Sequence, residues 1–296
     1  MKPILLFSLA LALSACSGNK NDFDATGAFE STEIIVSSEA NGKIMELNLQ
    51  EGDRLEAGAV LGYVDSMQLY LRKKQLEAGL RSVDIRKPDI RKQIASLEQQ
   101  IAVARSEQQR MENLVKAKAG NQKQVDDIVN NIKVLQKQLD AQYSTLHKTT
   151  SGADAEAESI VYQIMQLDDQ LQKSRIVNPQ SGTVLVKYAE PGEVTAAGKP
   201  LYKIADTDLL YLRAYPTAEQ LTQLKLGQQV RVFADFGEKG QKEYPGTITW
   251  ISEKSEFTPK GIQTKNERAN LVYAVKIAVR NDGYLKIGQY GEVLFK

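Results

Sequence analysis

Two stretches of this chain repeat each other across a long insertion, and no other feature restricts the fold as much. The first, EANGKIMELNLQEGDRLEAGAVLGYVDS, runs from Glu39 to Ser66; the second, PQSGTVLVKYAEPGEVTAAGKPLYKIAD, runs from Pro179 to Asp206. Their glycines align at one constant offset: Gly42 with Gly182, Gly52 with Gly192, Gly58 with Gly198. Leu61 falls on Leu201 and Ile44 on Val184 in the same register. The register is imperfect at one place, where Leu55 finds its apolar counterpart one residue early, at Val194. Between the glycines apolar and polar residues alternate, as half-buried strands require. Glu51-Gly52-Asp53 and Pro191-Gly192-Glu193 read as turns between them. Neither half can bury its own face, so the two must meet in space although roughly 110 residues separate them.

The pair resembles the two halves of a biotinyl/lipoyl domain, a small sandwich of pseudo-symmetric sheets. In carrier proteins of that type the hairpin joining the halves presents a lysine for the cofactor. The matching place here reads Asp65-Ser66-Met67-Gln68 and offers no amine to acylate. The resemblance therefore implies the fold without the carrier chemistry, and no cofactor is expected.

The insertion reads as coiled coil. Ile90, Ile94, Leu97, Ile101, Ala104, Gln108, Met111 and Val115 alternate spacings of four and three, the pattern of knobs-into-holes packing. A second seam follows: Val125, Ile128, Ile132, Leu135, Leu139, Gln142, Leu146. Between them Ala119-Gly120-Asn121 forms a turn, with Asn121 suited to cap the returning helix. Gln108 and Gln142 are polar seam positions of the kind that fix register. The limbs, 66–118 and 122–174, are equal in length, and each would extend roughly 75–80 Å if straight. Pro88 and Gly152 each lie 22 residues from the base of their limb. Joints near 88 and 152 are therefore expected, giving a four-helix section near the sandwich or a single hairpin bent there.

From Leu209 onward short strands dominate: LLYLRAYP, QQVRVFADF, YPGTITWIS, LVYAVKIAV and QYGEVLFK. They predict a small antiparallel barrel, with one short helix opened by the capping box Thr217–Gln220. A strand near Ala28 to Val36 joins that barrel or leads into the sandwich. The net charge of +1 leaves no electrostatic footprint for nucleic acid. One cysteine and one histidine (His147, near the seam's end and read as a solvated helix-end residue) make an internal disulfide or a Cys/His metal site impossible, and no metal is expected. The isolation of His147 argues against catalysis, so no catalytic residue is named and no enzyme is expected.

The first residues form a charged start followed by an apolar run too short to span a bilayer. Leu13-Ser14-Ala15-Cys16 resembles the bacterial lipobox, which implies a lipid on Cys16 and anchoring to a membrane. The expected organisation is a signal segment 1–16, a tether 17–27, an N-terminal strand with the first lipoyl half 28–66, a hairpin 67–174, the second half 175–206 and a barrel 207–296. The fold class is multidomain α+β: a split lipoyl-like sandwich with an inserted antiparallel coiled-coil hairpin, followed by a β-barrel.

That order of parts resembles the HlyD-type membrane fusion proteins, the periplasmic adaptors of efflux systems. The segment EFTPKGIQTKNERANLVYAVKI, Glu256 to Ile277, is similar to the barrel of their YbhG-like branch, whose members accompany ABC-type permeases. Adaptors that dock on TolC-like outer-membrane channels carry an arginine, a leucine four residues on, an alanine, a hydroxyl residue and an aspartate at the hairpin tip. Arg110, Leu114, Ala119, Asn121 and Asp126 hold those spacings beside Gly120, with Met111 and Asn121 departing from the usual residues. The resemblance implies a lipid-anchored periplasmic protein at the inner membrane, a hexameric ring of copies, an ABC-type permease as one partner and a TolC-like channel as the other. RND-pump adaptors usually continue beyond the barrel, whereas this sequence ends at Lys296. An RND adaptor and a tethered coiled-coil scaffold are the alternatives.

Overall fold

A computed structural model describes residues 23–237, 240–257 and 271–296; Cys16 and the larger part of the Glu256–Ile277 segment lie outside them.

The two repeats interlock in the sandwich. The first supplies β3 (Gly42–Leu47), β4 (Arg54–Leu55) and β5 (Val60–Val64), and the second β7 (Gly182–Lys187), β8 (Val194–Thr195) and β9 (Pro200–Ala205). Each two-residue strand crosses to the other repeat's sheet. With β2 (Glu33–Ser37) and β6 (Arg175–Val177) at the edges, the sheets run β2-β9-β7-β4 and β6-β5-β3-β8. Ile44, Leu61, Val64, Val184, Leu201 and Ile204 fill the space between. One polar knot sits in that core: the Tyr202 hydroxyl donates to Asn178 Oδ1 at 3.1 Å. The Asn178 amide in turn donates to the carbonyls of Glu56 and Gln180, at 2.8 and 2.6 Å, so the buried group is satisfied. Burial pushes the Tyr202 hydroxyl up to about 12.

Four repeat glycines, Gly52, Gly58, Gly192 and Gly198, turn with φ between 81° and 97°, a region costly for any residue with a Cβ. Gly182 is required for a different reason, since a Cβ there would lie 2.5 Å from the carbonyl oxygen of Ala205. The apparent register slip at Leu55 and Val194 is not a slip. Thr195 is the buried position of β8, at the constant offset from Leu55, while Val194 is 72% exposed.

The barrel closes from six strands in the order β1-β10-β13-β12-β11-β14. They are β1 (Ala25–Glu30), β10 (Leu209–Ala214), β11 (Gln229–Asp235), β12 (Gln241–Phe257), β13 (Leu271–Arg280) and β14 (Tyr290–Leu294). The expected strand over Ala28–Val36 is two strands that part at Ser31-Thr32: β1 completes the barrel and β2 edges the sandwich. The tether and barrel boundaries shift accordingly, because β1 pairs with both β10 and β14 and so supplies the contacts that close the cylinder. Strict alternation in β1 places Ala25 and Phe29 in a core with Leu212, Val232, Ile277 and Val293. Helix α4 (Ala218–Leu221) carries the predicted capping box on Thr217 and Gln220.

The insertion is three helices: α1 (Met67–Arg86), α2 (Ile90–Lys116) and α3 (Gln122–Lys173). The expected joint near 88 is present, and the one near 152 is absent. Pro88 cannot donate and clashes with the preceding turn, and Asp89 then caps α2 by accepting from the Lys92 amide at 3.2 Å. Gly152 keeps its N–H, so α3 runs through it at a cost of about 1 kcal/mol in propensity. A single rod therefore faces α1 and α2 in succession. His147 consequently lies mid-helix, exposed, with its ring 6.2 Å from that of Tyr143. Every residue of both predicted seams is buried or half-buried. Val83 and Leu167 are buried on the α1 and α3 side. Lys73–Asp168, Arg86–Glu156 and Lys87–Asp154 pair α1 and its end with α3.

Candidate functional site: the hairpin tip

The 52 residues of α3 place the tip about 78 Å from the sandwich. There α2 ends in a Schellman turn: the Ala119 N–H reaches the Leu114 carbonyl at 2.9 Å, and the Lys118 N–H reaches that of Val115 at 3.0 Å. The left-handed residue that this turn needs is Lys118, with φ 58°, where a glycine is usual. Gly120 serves another purpose. A Cβ there would lie 2.9 Å from the Val115 nitrogen, so the chain passes too close to α2 for a side chain. Asn121 is the N-cap of α3, and its Oδ1 accepts from the Lys123 amide at 2.9 Å.

Arg110, Leu114, Ala119, Gly120, Asn121 and Asp126 are all exposed. The seam beside them ends at half-buried Val115 and buried Val125, so none of the six is needed to close the coiled coil. Arg110 and Leu114 stand one turn apart on α2. The Arg110 guanidinium pairs with Glu107 at 2.6 Å, and Asp126 accepts from the Gln122 side-chain amide at 3.0 Å. Both polar tip groups thus have neighbours within their own helix that a partner would have to share or displace. The spacing of apolar seam residues gave no sign of Lys118's role, because a lysine carries no turn signal.

Further down the hairpin, a shallow groove of about 480 Å³ between α2 and α3 is lined by Val103, Ala104, Ile128 and Leu135. Val103, Val134, Tyr143, Tyr162 and Met165 are each at least half exposed. Seam logic did not flag these residues, since they lie outside the heptad positions that pair α2 with α3. Among the described residues no group of His, Cys, Asp and Glu is placed to hold a metal.

A family model described as the barrel-sandwich hybrid domain of RND membrane fusion proteins matches residues 32–207. The chain belongs to this family. Curated relatives extend the likeness along the membrane fusion protein's length. A UPF0194 membrane protein of Yersinia enterocolitica is 27% identical, covering 94% of this chain and 93% of its own. Another, from Acidithiobacillus ferridurans, is 25% identical over 88% of this chain and 83% of its own. Two solved structures share the fold. MacA from Actinobacillus actinomycetemcomitans aligns with TM-score 0.52 at 21% identity, over 91% of this chain and 76% of its own. The membrane fusion protein Spr0693 from Streptococcus pneumoniae R6 aligns with TM-score 0.53 at 18% identity, over 92% and 97%. The membrane fusion family and the split-sandwich, hairpin and barrel class read from the sequence are those observed.

Proposed function

We propose that this membrane fusion protein is the periplasmic adaptor of a tripartite efflux assembly, joining an ABC-type inner-membrane permease to a TolC-like outer-membrane channel. The observation that carries the reading is the tip itself. A rod of about 78 Å ends in exposed Arg110 and Leu114, which neither the turn nor the seam requires, and a device of that length suits reach rather than catalysis. A lipid on Cys16 attaches the chain to the inner membrane; among the described residues no helix is long and apolar enough to cross one. Copies of the chain form a ring, by family resemblance a hexamer. The exposed apolar residues Val103, Val134, Tyr143, Tyr162 and Met165 support lateral packing of hairpins into a tube. The adaptor performs no covalent chemistry.

The test is Arg110→Glu with Leu114→Asp in a strain whose efflux depends on this adaptor. Efflux should fall to the level of a deletion while hairpin helicity, followed by circular dichroism, stays at wild type. A photo-crosslinker placed at Asn121 should capture an outer-membrane channel. Wild-type efflux in the double variant would show that the tip is not the docking site. The family description names RND pumps, which favours an RND permease as the second reading. Crosslinking from the barrel separates the two, since the captured inner-membrane protein is either an ATPase-linked permease or an RND pump.

A further inference from the structure

The strand registers place one mouth of the barrel beside the sandwich. There β1 passes into β2, β9 into β10, β11 ends and β12 begins, and the loop 281–289 lies at the strand ends. At this mouth Lys242, the second residue of β12, extends its ammonium among three aromatic rings. Its Nζ lies 4.8 Å from the ring centre of Tyr284 and 5.4 Å from those of Phe236 and Tyr244. Phe236 and Tyr284 meet edge to face at 5.1 Å, forming a corner. Asp282 completes the enclosure. Its carboxylate pairs with the same ammonium, and its Oδ1 accepts from the Tyr244 hydroxyl at 3.2 Å and the Tyr284 amide at 3.2 Å.

A surface ion pair does not need this much machinery. The Arg231–Glu243 pair on the neighbouring strands makes two hydrogen bonds and meets one ring, Phe233. Around Lys242 three rings and a carboxylate converge on a single cation, the combination of ring quadrupoles and one opposite charge by which proteins recognise organic ammonium ions. Tyr244 is buried and fixes the floor, whereas Tyr284 is 60% exposed and leaves the enclosure open on the loop side. We propose that Phe236, Tyr244, Tyr284 and Asp282 form a binding site for organic ammonium groups, whose resident occupant is the protein's own Lys242 and which an incoming ammonium enters by displacing it.

The exchange would be felt at the domain joint. Asp282 and Tyr284 belong to the loop that also holds the linker between sandwich and barrel: the Asn281 N–H reaches the Asp208 carbonyl, and its side-chain amide reaches that of Thr207, both at 2.8 Å. Asp208 in turn pairs with Arg54 of the sandwich. This site is independent of which pump or channel the adaptor serves.

Tetramethylammonium chloride is the probe, titrated into the full chain by calorimetry against sodium chloride of equal ionic strength. Lys242→Met removes the resident ammonium while keeping the aliphatic stem, and should bind the probe at least fivefold more tightly than wild type. Adding Tyr284→Ala, an exposed loop residue whose loss leaves the barrel core intact, should cost at least fivefold again. Less than a fivefold difference in either comparison overturns the proposal. Should Lys242→Met fail to fold, wild type is read alone. Saturating tetramethylammonium, but not sodium, must then perturb the Tyr284 amide resonance, and an unmoved resonance overturns the proposal equally. Ammonium groups come either from solutes or from lipid headgroups. Sedimentation of Lys242→Met with phosphatidylethanolamine-containing vesicles, but not with pure phosphatidylglycerol, assigns the headgroup. Binding of tetramethylammonium without such sedimentation assigns the solute.

Discussion

Thr195→Val should make the sandwich more stable. Thr195 is 3% exposed, and its hydroxyl finds no hydrogen-bond partner among the described residues. Leaving such a group dry costs about 1–3 kcal/mol, the penalty for desolvating a polar atom that nothing inside satisfies. Valine is nearly isosteric, keeps the branched Cβ that β8 favours, and adds one buried methyl group worth about 0.8 kcal/mol. The expected gain is therefore roughly 2–4 kcal/mol. Because the chain has several domains, a single melting temperature would blur the effect. Native-state hydrogen exchange reads it locally, at the Ile44 and Gly192 amides that pair β3 with the segment leading into β8. Their exchange should slow by tenfold or more, since each 1.4 kcal/mol is a factor of ten. Val194→Thr, at a position 72% exposed, is the matched control and should leave exchange unchanged. Unchanged or faster exchange in Thr195→Val would mean that the hydroxyl is satisfied after all, and the argument from an orphaned buried group would fail.

Two further substitutions test the hairpin. Gly152→Ala should stabilise it by about 1 kcal/mol, because the position is mid-helix and an added Cβ meets nothing within 4 Å. A lower melting temperature of the helical signal, or a loss of efflux, would instead mark Gly152 as a working joint. Lys118→Gly should also stabilise, by about 0.5–1 kcal/mol, since it relieves a left-handed lysine at the cost of some unfolded-state entropy. An unchanged or lower melting temperature would show that the Lys118 side chain contributes more to the tip than its backbone costs.

The fold was legible where the signal is periodic. Heptads named the helices and glycine offsets paired the halves of the sandwich, because both arise from repeating geometry that shows in residue type. Misreadings came where one residue has to be weighed against its surroundings. Val194 looked like the buried partner of Leu55 because it is apolar, whereas the alternation of faces along β8 buries Thr195. Gly152 looked like a breaker, but a glycine weakens a helix without removing a hydrogen bond, and packing against α1 carries α3 through it. The strand near Ala28 could not be assigned to a sheet at all, since barrel closure depends on pairings far away in sequence. At the tip, the exposed residues were found by likeness to a family, and the backbone device that shapes the turn was missed.

The contrast between a broken limb and a continuous one bears on how force would travel. With breaks at equal heights, the hairpin would hinge as two stacked bundles, and motion at its base need not reach the tip. With α3 continuous, any bend at the height of Pro88 must also bend a helix that retains its full hydrogen-bond ladder. Helices curve gently, and sharp kinks require a proline, an inserted group or a π-bulge. The described part of α3 contains none of the first, and Thr149 and Thr150 donate back one turn, at 3.0 Å each, without interrupting it. The ion pairs Arg86–Glu156 and Lys87–Asp154 sit at the end of α1 and tie the broken limb to the unbroken one at that level. The break at Pro88 therefore acts as a place where the descending limb resets its register on α3, and α3 acts as the spar. In the proposed assembly, a displacement of the sandwich would reach Asn121 as a displacement of one rod, which is why the cap residue of α3 is also the residue best placed to meet a channel.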